Sequence, residues 1–424
     1  MKSSKILKTI LKTDLNAKNI VIAINEFVNP VLTYTYGIVN WTEQDIKSAD
    51  ILVRKMLHMN RMFEIRSDVD RLYIPRNNGG RGLVSLWDSF KTTNARLAHF
   101  LTNSPSQIIT KCSELDKTGQ FSINKKAYKF HEQTPIELPK NFHDNSLLKQ
   151  AKIVAEKTKN ALQKQRYEAC LNKPQHGVYF KLLDENQVSR KWSMSWLTNC
   201  HMAPQTESFI FAAQELALFT KWHERFILKK QVSDLCRVCM KKSETMSHIL
   251  SGCDSLAKKE YLDRHNGVAQ YVHHSICKNF GFQTTAKWHT HKPKEVLLSK
   301  TTEIIWDSII STERPYVFNR PDIIIRDKKG KKTYIIDISC PNDINVSDKE
   351  QEKITKYSGL RLELGRMWDS ECVVVPVVIG SLGVVSENFE RYLKMIPAEL
   401  SPTMCTKTTL LGSEKILRRF LSRR

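Results

Sequence analysis

Asp322-Ile-Ile-Ile-Arg326, Lys328-Lys-Gly-Lys-Lys332 and Thr333-Tyr-Ile-Ile-Asp-Ile-Ser339 decide the fold of the C-terminal part of this chain. Two short runs of β-branched residues flank a turn centred on Gly330, the pattern of a hairpin of buried strands. Asp337 interrupts the second run, and a lone carboxylate there is costly to bury unless it meets a cation or hydrogen-bond donors. Asp322 opens the first run, just after Arg320-Pro321. Adjacent strands can bring both carboxylates to one end of the sheet. A hard divalent ion such as Mg²⁺ binds there through one or two carboxylates together with phosphate oxygens and water. Such an ion can activate water and neutralise charge on a scissile phosphate.

The flanks extend the pattern. Thr301 to Ile310 reads as a helical turn. Ser347-Asp-Lys-Glu350 reads as a capping box that opens a long helix to about Met367, and Val373 to Ile379 as a buried strand ending at Gly380. That helix carries Glu352-Lys353-Ile-Thr-Lys356-Tyr357. Lys353 and Lys356 are three positions apart and can share a face. A lysine would complete such a site by stabilising a pentavalent phosphate or orienting water. The position two after Asp337 is Ser339, not lysine. The same residues also describe a strand Asp capping a loop, an Asp–Lys pair and a solvated helix, and spacing alone leaves both readings open.

Upstream stands Cys236-x2-Cys239-x8-His248-x4-Cys253. Two thiolates three positions apart can wrap one tetrahedral ion from a tight turn, and a His and a Cys five apart can close the site. Four protein ligands leave no open position, so the expected role of zinc is structural. The alternative is three buried thiols and a hydrogen-bonded His. Arg237, Lys241 and Lys242 would suit a nucleic-acid-binding knuckle. His265, His273 and His274 come next and read as surface or packing residues, not as a second metal site. The other cysteines (112, 170, 200, 277, 340, 372 and 405) are scattered, and ten cysteines in 424 residues do not make a disulfide scaffold.

The first hundred residues read as helical. Thr42-Glu-Gln-Asp45 is a capping box opening a helix through Ile46, Ala49, Ile51, Leu52 and Met56. Asn77-Asn-Gly-Gly-Arg-Gly82 lacks the Gly-Lys-Ser/Thr ending of a phosphate loop and reads as a sharp turn, with Arg76 and Arg81 as candidate phosphate contacts. Residues 105–145 mix Pro, Asn, Lys and Gln and read as a loose linker. Residues 147–168 read as a basic amphipathic helix with Leu148, Ala151, Val154, Ala155 and Leu162 as its stripe. Its lysines serve a solvated face and a nucleic-acid contact equally well. Trp192 and Trp196 read as core. Thr206 stands before Glu207 as a cap for a helix carrying Phe209, Ile210, Ala213, Leu216 and Ala217. At the end, Ser413 can cap a short helix with Ile416, Leu417, Phe420 and Leu421 on one face, either a packing helix or a backbone-binding tail.

Lys plus Arg number 66 against 44 Asp plus Glu, a net charge of +22. A chain so basic is attracted to polyanions, and nucleic acid is the default partner. The longest apolar run, Cys372 to Ile379, is far too short to span a bilayer. The N-terminus lacks the apolar core of a secretory signal. The expected location is intracellular, in the nucleus, with no membrane partner.

The order Arg320-Pro321-Asp322, Asp337, then Glu352-Lys353-x-x-Lys356-Tyr357 resembles the restriction-like endonuclease of non-LTR retrotransposon proteins, within the PD-(D/E)xK nuclease superfamily. In that subgroup the catalytic lysine moves from the strand to the following helix, which would account for Ser339. The resemblance implies Asp322 and Asp337 as metal ligands and Lys353 as catalytic lysine, with Lys356 as runner-up and Tyr357 completing the motif. Such proteins carry a Cys-Cys-His-Cys knuckle just before the nuclease, as Cys236, Cys239, His248 and Cys253 do here. Asn25 through Trp41 and Asp70-Arg-Leu-Tyr-x-Pro-Arg76 with Gly79-Gly-Arg-Gly82 look like the region after the polymerase palm. The run from Val375 to Gly383, with Leu410-Leu-Gly412 and Ile416-Leu-Arg-Arg419, looks like the end of these polyproteins. The likeness is concentrated in residues 20–90 and 230–385 and thin over 100–190.

By this resemblance the chain is expected to be α+β and multidomain. The expected parts are a thumb-like helical region (1–100), a mostly helical linker (101–230), a zinc knuckle (231–275), an α/β restriction-like nuclease domain (295–400) and a basic tail (401–424). The sequence holds no adjacent Asp-Asp pair, so no polymerase palm is expected in it. The implied activity is Mg²⁺-dependent nicking of target DNA to prime reverse transcription in the intact element. Target DNA and element RNA are the implied partners, and the polymerase half of the element protein is a further candidate. Two alternatives stand beside it: a catalytically inactive nucleic-acid-binding fragment, and an accessory piece that works only with a separate palm.

Overall fold

Thr42 opens the first long helix as its neighbours dictate. Its Oγ1 accepts the Asp45 N–H at 3.2 Å, and the Asp45 carboxylate accepts the Thr42 N–H at 3.1 Å, so two helix-end donors are satisfied reciprocally. The computed structural model describes residues 2–119, 121–313 and 316–423; Arg424 of the basic C-terminal run lies outside them. The chain is α+β, with many helices and, among the described residues, one mixed five-stranded sheet. It divides into two compact units, Met1–Val178 with His201–Glu215 and Tyr179–Cys200 with Leu216–Arg424. Among the described residues no helix is long and apolar enough to cross a membrane.

The first unit is helical: α1 (Lys2–Leu11), α2 (Ala17–Ala23), α3 (Glu43–Met59), α4 (Val69–Tyr73), α5 (Leu86–Asn103), α6 (Gln107–Thr118), α7 (Ile123–Gln133), α8 (Leu147–Leu171) and α9 (Pro204–Gln214). Leu7, Ile20, Val53, Leu57 and Leu72 share one core, and Tyr36, Ile46, Leu86, Phe90 and Phe130 another. In α3 the buried stripe is Ile46, Asp50, Val53, Met56 and Leu57, while Ile51 and Leu52 face out. At 3.6 residues per turn, positions 51 and 52 fall opposite Ile46. Buried Asp50 is held by the backbone N–H groups of Leu86 and Trp87 at 2.9 and 3.1 Å. It therefore sits at the positive end of α5.

Residues 105–145 are not a loose linker, because α6 and α7 occupy most of them. These helices bury little beyond Ser113 and Phe130, so their composition mimics a linker. Ser122 caps α7 by accepting the Lys125 N–H at 2.9 Å. In α8 the buried stripe keeps Ala151, Val154 and Leu162, but Leu148 is exposed. Helix α9 starts one turn before the expected cap: Ala203 is the N-cap, Pro204 is the first helical residue, and Leu216 and Ala217 fall beyond its end. The glycine turn wraps tightly. Gly79 takes the left-handed φ of 88°, and a Cβ on Gly80 would come within 2.1 Å of the Ile74 carbonyl, which only glycine permits.

The second unit carries helix α10 (Leu262–Asn279), then β1 (Val296–Leu298), β2 (Thr302–Trp306), β3 (Ile323–Asp327) and β4 (Lys332–Ser339). It continues with α11 (Val346–Lys356), α12 (Ser358–Met367), β5 (Glu371–Val378), α13 (Phe389–Met395) and α14 (Pro402–Leu421). The sheet order is β1-β2-β3-β4-β5. The first three pairings are antiparallel, and β5 lies parallel to β4, a pairing that requires the crossover through α11 and α12. Ile323, Ile325, Ile336 and Ile338 pack on one face with Val268, Val272 and Phe389, and Ile324 and Ile335 on the other with Tyr357, Leu360 and Leu364. Helices cover both faces, hence the unbroken isoleucine runs.

Three expectations in this unit are corrected. The segment 301–310 holds strand β2 (Thr302–Trp306) and an irregular continuation rather than a helical turn, with Ile304 and Ile305 buried on opposite faces and Ile304 paired to Ile325. The expected helix from Ser347 to Met367 breaks at Tyr357 into α11 and α12, and Asn345, not Ser347, is the N-cap. Glu350 turns inward to accept the Ser386 hydroxyl at 2.5 Å instead of closing a capping box. Ser413 does not start a short helix: it lies inside α14, receives Arg264 Nη1 at 3.0 Å and donates to the Ser381 carbonyl at 2.6 Å. Buried Cys405, Leu410, Ile416, Leu417 and Phe420 make α14 a packing helix.

Candidate active site and candidate zinc centre

The register of β3 against β4 pairs Ile323 with Ile336. One step beyond, Asp322 and Asp337 meet at the end of the ladder. The odd-numbered positions of β4 face Tyr357 and α12, so Asp337 lies among Ile335, Tyr357 and Leu360 rather than in solvent. Its carboxylate is tightly held. Tyr357 Oη donates to Oδ1 at 2.6 Å, and Lys353 Nζ lies 2.6 Å from Oδ2. Lys356 Nζ is farther, at 3.8 Å from Oδ1, and donates instead to Tyr357 Oη at 2.9 Å. Burial and the Asp337 charge push the Tyr357 hydroxyl far above its ordinary pKa, so it stays a donor. Lys353 meets Oδ2 as an ion pair off the hydrogen-bonding direction; that buried oxygen makes no hydrogen bond among the described residues.

Asp322 accepts the Ile338 N–H at 2.6 Å, which ties the two strand ends together. The same Oδ2 lies 3.1 Å from His265 Nε2, which is also 3.1 Å from the Ile338 carbonyl. Burial opposes charge on this imidazole, but the Asp322 carboxylate outweighs it and raises the His265 pKa to about 9. His265 is thus a site residue rather than the surface or packing residue that the sequence suggests. Only the docking of α10 against the end of β4 brings it here, and no local pattern signals that. Asp322, Asp337, Lys353, Lys356, His265 and Arg320 line one cleft of about 310 Å³. All five residues expected at the catalytic site (Asp322, Asp337, Lys353, Lys356 and Tyr357) therefore converge on it. A carboxylate floor with lysines at its edge can hold a cation beside an anion.

The second constellation is equally local. Cys236, Cys239, His248 and Cys253 bring one donor atom each within 4.8 Å of one another and could hold a zinc ion. Cys239 Sγ lies 3.3 Å from His248 Nε2, and Cys236 Sγ lies 4.0 Å from Cys253 Sγ. The turn between the first two thiols closes with the Met240 N–H on the Cys236 carbonyl at 2.9 Å and the left-handed φ of 54° at Met240. Burial alone would push the Cys239 thiol up, but the backbone N–H groups of Lys241 and Lys242 hold it below its ordinary value. Burial and nearby Lys242 hold the His248 imidazole down, so it is neutral. Burial and the neighbouring thiols push Cys253 up to about 12, so its proton leaves only as a metal takes the sulfur; thiolate and neutral imidazole are the forms zinc takes. The knuckle is bound into the second unit by Arg264, which reaches the Leu250 and Cys340 carbonyls at 2.9 and 3.0 Å.

The expected nucleic-acid contacts divide. Arg81 is buried, with its Nε 3.1 Å from Glu207 Oε1 and its Nη1 on the Met62 carbonyl. Arg76 grips the same carboxylate, 3.2 Å from Oε1 and with Nη2 on Oε2. Both guanidiniums neutralise a buried glutamate, so they are not presented to a phosphate backbone. Arg237 spends its charge on Glu244 at 2.7 Å and its Nη1 on the Arg423 carbonyl at 3.0 Å. Lys241 and Lys242 are exposed. Trp196 is fully buried, in keeping with a core role.

No protein-family model matches this sequence, and a search of curated proteins finds no match to it.

Proposed function

We propose that this chain is a metal-dependent DNA endonuclease of the restriction-like kind found in non-LTR retrotransposon proteins, and that its place is the nucleus. The observation that carries the reading is the convergence of Asp322, Asp337 and Lys353 from two strand ends and the following helix. The chemistry of the donors fits a hard divalent cation. Two carboxylates stand side by side, and Asp337 Oδ2 is buried with no hydrogen bond among the described residues. Mg²⁺ held by Asp322 and Asp337 would supply a Lewis acid for the phosphodiester and an acidified water.

The protein's own groups divide the remaining work. The Lys353 ammonium is placed to follow negative charge from Asp337 to a scissile phosphate. Tyr357 fixes the Asp337 carboxylate in one orientation. His265 and the Ile338 N–H fix Asp322. Lys241 and Lys242 are exposed on the knuckle and available to target DNA or element RNA. The knuckle, with zinc in its structural role, would present them from a rigid base.

Incubation of supercoiled plasmid with the purified chain and Mg²⁺ tests both the cut and its product. The expected result is a nick whose end a DNA polymerase extends without added primer, which means a 3′-hydroxyl. Retained, salt-sensitive DNA binding with no cut under any divalent ion would instead support a binding fragment without catalysis. Nicking that appears only when a separate polymerase fragment is added would support an accessory role.

A further inference from the structure

We propose that His273, Cys277 and His291 form a second zinc site, distinct from the Cys236–Cys253 knuckle, which staples the segment between α10 and β1 onto α10. In sequence His273 looks like a surface or packing residue and not part of a second metal site, Cys277 looks like one of several scattered thiols, His291 carries no signal, and the fold gathers the three. His273 and Cys277 are four apart on α10 and so lie one above the other on one helix face. The segment between α10 and β1 returns along that face and delivers His291. All three residues are buried, and their donor atoms lie within 4.8 Å of one another.

The separations suit one ion. His273 Nδ1 is 2.8 Å from His291 Nε2 and 3.5 Å from Cys277 Sγ. With zinc–nitrogen bonds of about 2.0–2.1 Å and a zinc–sulfur bond of about 2.3 Å, tetrahedral edges come to roughly 3.3 Å and 3.6 Å. The sulfur edge is already met, and the nitrogen edge requires the two rings to part by about 0.5 Å. The knuckle shows comparable spacing, with Cys239 Sγ 3.3 Å from His248 Nε2. Two imidazoles and a thiolate are a donor set zinc favours over harder ions. Three protein ligands leave the fourth position to water or another small donor. On binding, the Cys277 thiol gives its proton to solvent and its sulfur pair to the metal, with no change of oxidation state.

The surroundings explain what the ion would do. Between Asn279 and Val296 the chain has only a single 3₁₀ turn, Trp288–Thr290. An irregular stretch of this length needs fixing by something other than backbone ladders. The Gln270 amide holds the His291 carbonyl, His274 Nε2 lies 2.9 Å from the Thr285 carbonyl, and the Trp306 ring of β2 meets His273 edge-on at 5.3 Å. A metal at the centre of these contacts would join α10, the segment and β2 at one point. The inference does not depend on nuclease activity.

Zinc per chain, counted by native mass spectrometry of the full-length protein after dialysis against a weak chelator, tests it. Two ions are expected in the unaltered chain, one in Cys239→Ser and one in His291→Gln. Cobalt substitution of Cys239→Ser should leave a tetrahedral spectrum with a single-thiolate charge-transfer band, lost in the Cys239→Ser, Cys277→Ala double variant. A single zinc in the unaltered chain that disappears in Cys239→Ser would overturn the proposal. So would two ions retained in His291→Gln. The count on the unaltered chain decides even where a variant fails to fold.

Discussion

Lys353 Nζ and Asp337 Oδ2 stand 2.6 Å apart, a helix cation set against a strand carboxylate that Tyr357 holds from its other oxygen. The pair separates the two lysines that spacing alone could not, because Lys356 is 3.8 Å away and turned to the tyrosine. Lys353→Ala should therefore lower nicking by about 10²–10³-fold, the usual cost of one preorganised electrostatic contact, whereas Lys356→Ala should cost less than about 10-fold. Rates measured at saturating DNA would reverse the assignment if Lys356→Ala proved the more damaging.

The knuckle should depend on its metal. Cys239→Ser removes the most exposed of the four ligands and should release that zinc, since structural sites draw folding energy from the ion. Limited proteolysis should then cut within residues 236–253 first. Zinc content at this centre unchanged from the native chain would contradict the ligand set.

Arg76 and Arg81 should act on stability rather than on DNA. Removing one partner of a buried ion pair leaves an uncompensated charge and costs about 3–5 kcal/mol. Glu207→Ala and Arg81→Ala should show losses of this order in urea unfolding, with the salt slope of DNA binding unaltered. Lys241→Ala with Lys242→Ala should do the opposite. Stability should hold, and the slope of log affinity against log salt should fall by up to about 2, near 0.9 for each phosphate no longer neutralised.

Glu350 offers a pH signature. Burial raises its pKa from 4.5 to about 7, and the Ser386 hydrogen bond and Arg391 offset only part of that rise. Between those values the folded state keeps a proton that the unfolded chain releases, so stability falls as pH rises from about 4.5 to about 7 and is level above. Glu350→Gln should remove that decline and stabilise the protein by about 3 kcal/mol above neutrality, with no gain near pH 4.5. Urea midpoints for both proteins at the two ends of the range test it. An equal effect at both ends would mean that Glu350 does not carry the proton.

The C-terminal sheet is legible in the sequence because isoleucine runs, a glycine turn and two misplaced aspartates are local signals, as are the cysteine spacings of the knuckle. Strand β2 is not, because a five-residue run such as Thr302–Trp306 fits a helical turn as well as a strand until its partner β3 is known. Helices α6 and α7 bury little, and their short apolar stripes (Ile108, Cys112 and Leu115; Ile123, Ala127 and Phe130) are interspersed with lysines and polar residues that read as linker. The arginines of the glycine turn show only their charge locally. Their partner Glu207 lies more than a hundred residues away, on α9. His265 and the His273, Cys277 and His291 group have the same character, each needing α10 docked before its neighbours exist.

Everything proposed for this site rests on Asp322 and Asp337 forming a working nuclease centre. The most direct test is plasmid nicking by the full chain in Mg²⁺ or Mn²⁺ against EDTA, with Asp322→Ala and Asp337→Asn alongside and DNA affinity measured on the same samples. Metal-dependent nicks are expected with the unaltered chain and should vanish in both variants while affinity stays within about twofold. Nicks that persist in either variant, or in EDTA, would contradict that expectation.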